Sequence, residues 1–373
     1  MSSEVGTKQK FLVLSLLVIQ NASSALTMRY SRGVLNEPYS PTTAVIVSEF
    51  GKLFVCIFLI AFGVGDSGLN GYANHKYSTT ASKVMYLISN SGYTWIPATC
   101  YFIQNSLYYI ASGNLSSSVF GTLQQLKILT AALCSVFILG RHLPWRQWRA
   151  LLLLIFGSVL MEYHTFELHE QNELSNANDP MKGTMAMLAI VSISGFAGVI
   201  TEKLLKNKDL RNDNQSASKP QLSIWDRNIQ LAFWSIIFGF VGYLVDTYYI
   251  NPAVDDFASK QFFDGWSVIT WVLVILWTCG GLLVAMTIKY TNVIIKGFAS
   301  AISLIVICIA GNLLLGDVLD MIFLVGAGVT IVSTFNYNDR DNGANASKQM
   351  INMSKDRIVE MEPLVQGETN NKK

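Results

Sequence analysis

Charge is what this sequence has least of. Only 14% of its 373 residues are Asp, Glu, Lys or Arg, against roughly a quarter in a soluble domain. With 51% hydrophobic residues and 20 phenylalanines, the chain departs from a soluble composition. The net charge of +2 is too small to point to a nucleic-acid partner. Cysteine is scarce too. The five present (Cys56, Cys100, Cys134, Cys279 and Cys308) fall in apolar segments without a C-x-x-C pair. They read as buried membrane thiols rather than disulfide or zinc positions. The four histidines read as loop residues. His164 and His169 flank acids in "HTFELHE" but lack metal-ligand spacing, so neither metal nor cofactor is expected. The apolar run at 11–28 follows Lys8 and Lys10 as a signal peptide's would, but it lacks a small-residue cleavage site. More such runs follow it, so it reads as a retained helix.

What the sequence does have is bilayer-length apolar runs, near the ~20 residues a membrane helix needs. They occur at about 11–28, 42–63, 93–112, 115–139 and 148–163, and again at about 183–201, 227–250, 266–288, 293–315 and 318–335. The expected fold is all-α, with ten transmembrane helices between a short tail at 1–10 and a disordered, Asn-rich tail at 336–373. The basic residues orient it. With a cytosolic N-terminus, cytosolic segments hold 20 Lys and Arg and the opposite side only Arg29, Arg32, Lys182 and Lys260. That asymmetry predicts both termini in the cytosol. An odd number of spans per half, at about 11–163 and 183–335, makes the second half inverted. Secondary transporters use this arrangement, with substrate held near the midplane.

Three lysines, Lys52, Lys127 and Lys296, remain inside the runs. A charged amine at the centre of a membrane helix costs about 2.5–3.5 kcal/mol, so each needs a partner. Lys52 has Glu49 three residues earlier on the same face, and such a pair neutralises itself at little cost. A structural ion pair is the leading reading, with a role in gating or coupling beside it. Glu49 is the one acid well inside a run, which leaves none to neutralise both Lys127 and Lys296, and these are expected to meet an anion brought by a substrate. Two ammonium groups suit a phosphate or diphosphate. Tyr101, Gln104, Asn105, Tyr108 and Ser112 form one helical stripe; Gln124, Lys127 and Thr130 form a second, and Lys296, Ser300 and Ser303 a third. Such stripes also serve as helix–helix glue. Tyr101 and Asn105 suit a base or a sugar, so the residues point to an anionic, polyhydroxylated substrate.

The stretches "YFIQNSLYYIASGNL", "LQQLKILTAAL", "ITEKLLKN…SIWDRNIQL", "QFFDGW" and "GGLLVAMTIKYTNVIIKGFASAIS", in this order, resemble the Golgi nucleotide-sugar transporters, the A branch of solute carrier family 35. The resemblance covers about 11–335. It implies a ten-helix drug/metabolite-transporter fold with a five-plus-five inverted repeat in a multi-pass Golgi or endoplasmic-reticulum membrane. It also implies exchange of a cytosolic nucleotide sugar for a nucleoside monophosphate, without enzymatic chemistry. By motif, Tyr101 and Asn105 resemble the family's nucleotide-pocket residues, Lys127 and Lys296 its phosphate-binding lysines, and Asn228 its second-half pocket asparagine. Glu49 and Lys52 match its acid–lysine pair. Carriers of CMP-sialic acid typically show tyrosine where Phe120 and Ala232 stand, which leans toward UDP-galactose or UDP-N-acetylglucosamine with UMP as counter-substrate. The family's Tyr-Gln-Leu-Lys is here Gln124-Gln125-Leu126-Lys127, and its Asp-Asn is Asn292-Val293. A CMP-sialic acid or other phosphorylated-metabolite carrier is the rival reading, and a polytopic transferase a remote one. A homo-oligomer is open.

Overall fold

The computed structural model describes residues 2–62, 79–115, 117–173, 179–206, 222–245, 262–315 and 321–338. The tail from 339 onward, Lys76, Arg211, Lys219 and Lys260 lie outside them, as do the side chains of His164 and His169.

Among the described residues there are helices and turns but no strand. The first half holds α1 (Ser2–Arg29), a π-helical turn (Tyr30–Val34), α2 (Pro41–Ala61), α3 (Thr80–Ser89), α4 (Trp95–Asn114), α5 (Ser117–Gln124), α6 (Lys127–Leu139) and α7 (Trp145–Glu173). The second holds α8 (Pro180–Lys206), α9 (Ile224–Val245), α10 (Val268–Tyr290), α11 (Val293–Leu315) and α12 (Met321–Asn338). His164 and His169 therefore sit on a helix, α7, and not in a loop.

Local chemistry fixes the ends. Pro41 opens α2, where its missing N–H costs nothing. Ser267 and Thr270 cap α10 reciprocally: the Ser267 hydroxyl accepts from the Ile269 and Thr270 N–H groups at 2.9 and 3.3 Å. At α9, the Ser223 N–H donates to Asp226 at 2.7 Å and the Asp226 N–H to the Ser223 hydroxyl at 3.2 Å. α6 stops at Gly140, whose φ of +62° is the left-handed turn that glycine takes at a helix end.

Among the described residues, six helical segments are long and apolar enough to cross a membrane: Lys8–Arg32, Pro41–Ala61, Met181–Lys206, Ile224–Val245, Val268–Tyr290 and Val293–Leu314. Lys127–Leu139 and Met321–Tyr337 are shorter apolar helices, and α4 and α7 fall on the runs at 93–112 and 148–163. Large apolar side chains point outward, with Phe137 82% and Phe54 71% exposed. In water that surface would be a liability; in lipid it is the natural one.

The halves interleave. The most extensive contacts all run between them: α7 with α12, α4 with α8, α2 with α9, α6 with α8, and α1 with α10 and α11. At the α7–α12 contact, a methyl added at Gly157 would lie 2.6 Å from the Thr330 hydroxyl and 2.8 Å from the Gly326 carbonyl. Only a bare backbone allows that approach, as in other membrane helix pairs. A buried apolar cluster that includes Ile128, Ala132, Leu151, Val199, Ile294 and Phe298 ties α6, α7, α8 and α11 together. Lys127 and Lys296 are carried by helices anchored in it.

Candidate functional site

The expectation of one continuous helix over 115–139 is corrected. The run is broken at Gln125–Leu126, so that α5 ends at Gln124 and α6 begins at Lys127. Across the break the ladder tightens to three-residue bonds, Leu126 N–H to Leu123 C=O at 3.1 Å and Ile128 N–H to Gln125 C=O at 3.2 Å. The Thr130 hydroxyl lies 3.0 Å from the Lys127 carbonyl and 2.7 Å from the Val191 carbonyl of α8, which holds the new helix start in place. Lys127 thus occupies the first residue of a helix, at the positive end of its dipole.

Lys127 is half-buried and has interactions within the protein. Lys296 is half-buried on the first turn of α11, near enough for the Lys127 charge to act on it. The start of α11 is held twice. Asn292 Oδ1 accepts from the Ile295 N–H at 2.8 Å, so this asparagine works as a helix cap. Glu202 Oε2 accepts from the Val293 N–H at 3.0 Å.

Glu202 was not singled out by sequence reasoning. It is fully buried, and a buried carboxylate needs cations and hydrogen bonds around it. Arg141, just past α6, engages it with both guanidinium nitrogens, one at 3.3 Å and the other closer. Lys206 donates to it at 2.6 Å and also to the Thr291 carbonyl. The cluster joins the C-terminal ends of α6 and α8 to the N-terminus of α11. The one signal in sequence was an acid four residues before Lys206 at the end of an apolar run.

Tyr101 and Asn228 come together around a residue that was also missed, Thr201. The Tyr101 hydroxyl approaches Thr201, whose own hydroxyl donates to the Ala197 carbonyl at 2.8 Å. Thr201 and Asn228 line a small pocket with Arg227, Thr94, Pro97 and Ala285. Asn228 is buried, its amide donating to the Ile224 carbonyl at 2.9 Å. Asn105, one turn beyond Tyr101, is exposed and is not part of that lining, nor are Lys127 and Lys296. Beside Tyr101, close enough for its charge to act there, Glu49 is ion-paired with Lys52. The second Glu49 oxygen is buried without a partner among the described residues. Lys52 runs along Gly281, where a methyl would lie 2.5 Å from its Cδ. Ala232 is 2% exposed, so a tyrosine would not fit there without displacing neighbours. Among the described residues no three His, Cys, Asp or Glu could hold a metal.

At the opposite end of the bundle, Glu37 is buried between the α1–α2 connection and α10. It accepts from Ser31 at 2.6 Å, from Thr270 at 3.1 Å and from Ser267. Burial pushes its carboxyl up, but the three hydroxyl hydrogen bonds and nearby Arg32 outweigh that and hold it below the usual range. Arg32 also donates to the Tyr39 carbonyl at 2.6 Å and stacks on the Tyr39 ring at 4.2 Å.

Comparison with known proteins bears on this arrangement. A UDP-N-acetylglucosamine transporter of Rattus norvegicus is 36% identical over 337 residues, 88% of this chain and 94% of its own length. A UDP-galactose transporter of Schizosaccharomyces pombe is 32% identical over 346 residues, 92% of this chain and 91% of its own. A protein crystal structure at 13% identity superposes with a TM-score of 0.60, covering 89% of this chain and 97% of that one, which shows a shared fold alone. The nucleotide-sugar transporter family model matches residues 5–338. With a match over nearly every helix, and with full-length relatives that are transporters rather than enzymes, this chain belongs to the nucleotide-sugar transporter family.

Proposed function

We propose that this chain carries a UDP-sugar, UDP-N-acetylglucosamine or UDP-galactose, from the cytosol into the Golgi lumen in exchange for UMP. The observation that carries the reading is Lys127 at the first residue of α6, within electrostatic reach of Lys296. A helix start offers backbone N–H groups and a partial positive charge, and two ammonium groups beside it complete a site for a diphosphate. The names of the rat and fission-yeast relatives support uridine as the base. So do Phe120 and buried Ala232, which stand where carriers of CMP-sialic acid have tyrosines. Tyr101, Thr201 and Asn228 supply hydroxyl and amide groups for the nucleoside, with Asn105 next along α4.

The bundle is read as ten spans in two inverted repeats, counting the broken α5–α6 pair as the fourth. The contact pattern supports this. The pairs α4–α8, α6–α8 and α4–α9 have counterparts in α10–α1, α11–α1 and α10–α2, as a two-fold relation between spans 1–5 and 6–10 requires. The pairs α2–α9 and α7–α12 are then each related to themselves. The basic-residue asymmetry puts both termini, and with them Glu202, on the cytosolic side, and Glu37 toward the lumen. Admission of substrate from the cytosol then requires Arg141 of the first half to part from Glu202 of the second. Because Glu202 holds the Val293 N–H, that parting moves the turn bearing Lys296. Two neighbouring ammonium groups repel when no phosphate lies between them. The loaded carrier therefore reorients more readily than the empty one, and exchange follows.

Proteoliposomes loaded with UMP and offered labelled UDP-, CMP- and GDP-sugars test the reading. Uptake of a UDP-sugar driven by internal UMP is expected. Preference for a CMP- or GDP-sugar would overturn it.

A further inference from the structure

The UDP-sugar reading leaves open where the sugar itself is recognised, and one group of side chains is not used by the nucleotide. Gln104 and Tyr108 lie on the same face of α4 as Tyr101, one and two turns further along, the second about 10 Å away at 1.5 Å per residue. Gln124 is the last residue of α5, three positions before Lys127. Its Nε2 donates to the Tyr108 hydroxyl at 2.7 Å, and Gln104 approaches the same hydroxyl. Phe120 covers the Tyr108 ring, with centroids 5.5 Å apart.

If this chain of groups only glued α4 to α5, its buried atoms would be satisfied. They are not. The Oε1 of Gln104 is buried with no donor among the described residues, a costly arrangement that natural folds keep rare. The three side chains are neutral and bring no charge to set against the diphosphate. What they offer is a buried acceptor, amide donors and acceptors, and a hydroxyl beside two aromatic rings. That is the chemistry that reads a pyranose, whose hydroxyls and, in an N-acetylhexosamine, acetamido N–H would donate to the orphaned oxygen.

We infer that Gln104, Tyr108 and Gln124 form the subsite that selects the sugar, with Gln104 Oε1 accepting a hydrogen bond from the ring substituents. The assignment rests on the UDP-sugar reading above. It places the sugar beyond Lys127 on the side away from the Tyr101–Asn228 cavity.

The test is exchange in proteoliposomes, with half-saturation measured separately for UMP, UDP-N-acetylglucosamine and UDP-galactose. Gln104→Met, which keeps length and removes the acceptor, should raise half-saturation for the UDP-sugar it reads about tenfold and shift the ratio between the two sugars by a similar factor. UMP, which has no sugar to place there, should move by less than about twofold. Gln104→Glu, which keeps an acceptor, should lose less than the methionine variant. Tyr108→Phe keeps the ring against Phe120 and carries the same test should the methionine variant not fold. Equal weakening of UMP and UDP-sugars would make the group part of the nucleotide site or of the scaffold and overturn the assignment. So would no change in either. A wild-type protein that accepts UMP but no UDP-sugar would overturn the substrate reading itself, and this assignment with it.

Discussion

At the residue scale, Lys127, a charged amine at the first residue of α6, is proposed to meet the phosphates of the substrate. Lys127→Ala removes a group whose insertion costs about 2.5–3.5 kcal/mol, so the variant should fold and insert. It should bind UMP roughly ten- to a hundredfold more weakly, the loss of charge-assisted hydrogen bonds worth about 1.5–3 kcal/mol. Thermal unfolding with and without UMP reads this directly, and the wild type alone should be stabilised. Lys127→Arg should restore only part, because a planar fork replaces a point charge. Glu202 makes the converse case. Its carboxylate is fully buried while Arg141 and Lys206 keep 28% and 32% side-chain exposure. Glu202→Gln should strand both cations and destabilise by about 3 kcal/mol, toward the low end for a broken buried pair because the cations are partly wetted. An unchanged melting temperature would show the cluster to be incidental. The sequence made the lysines conspicuous because charge inside an apolar run is rare. Glu202 lies at a helix end, where acids are ordinary, and burial there is created only by the approach of the α6 and α11 termini.

At the scale of elements, apolar runs were legible because length and hydropathy alone define them: among the described residues each overlaps a helix, though six segments are long and apolar enough to cross a membrane and the run at 115–139 falls on two helices. The break at Gln125–Leu126 was not. Gln, Leu and Lys all favour helices, and what ends α5 there is tertiary: buried Gln125 and the Thr130 bond to α8. The α7–α12 contact was equally hidden, since one glycine in a run says nothing about its partner. Gly157→Ala would push a methyl within 2.9 Å of the Thr330 backbone nitrogen and 2.8 Å of the Gly326 carbonyl, atoms that cannot swing away. A loss of about 1–3 kcal/mol is expected, with the UMP-induced shift in melting temperature retained. A variant as stable as the parent would mean that the helices separate there without cost. Glu37 ties the α1–α2 connection to α10 and makes a pH prediction. Its carboxyl titrates below its usual value near 4.5 in the folded protein. The stability it contributes is therefore present above about pH 4.5 and is lost as pH falls through the lower, folded value. Melting temperature measured downward from pH 6 should fall in that acid range, and Glu37→Gln should flatten the fall. An identical acid limb in the variant would assign the dependence to other groups.

At the scale of the whole molecule, the two halves do not stand side by side as domains. They interleave, so each of the most extensive contacts joins the first half of the chain to the second. On the proposed function, substrate among α4, α6, α8, α9 and α11 would touch both halves at once, and its binding energy would bias how they sit against each other. The nucleotide side of the proposed site was legible as residue types, in Tyr101, Asn228 and the two lysines. Its assembly was not, because Thr201 joins Tyr101 to the Asn228 cavity across a hundred positions of sequence. The central claim is that a UDP-sugar and UMP share one site built on Lys127, and counterflow tests it most directly. Proteoliposomes holding the wild-type protein and unlabelled UMP should accumulate labelled UDP-sugar well above UMP-free vesicles, while vesicles holding folded Lys127→Ala should not. Accumulation that ignores internal UMP, or that survives the loss of Lys127, would contradict the account.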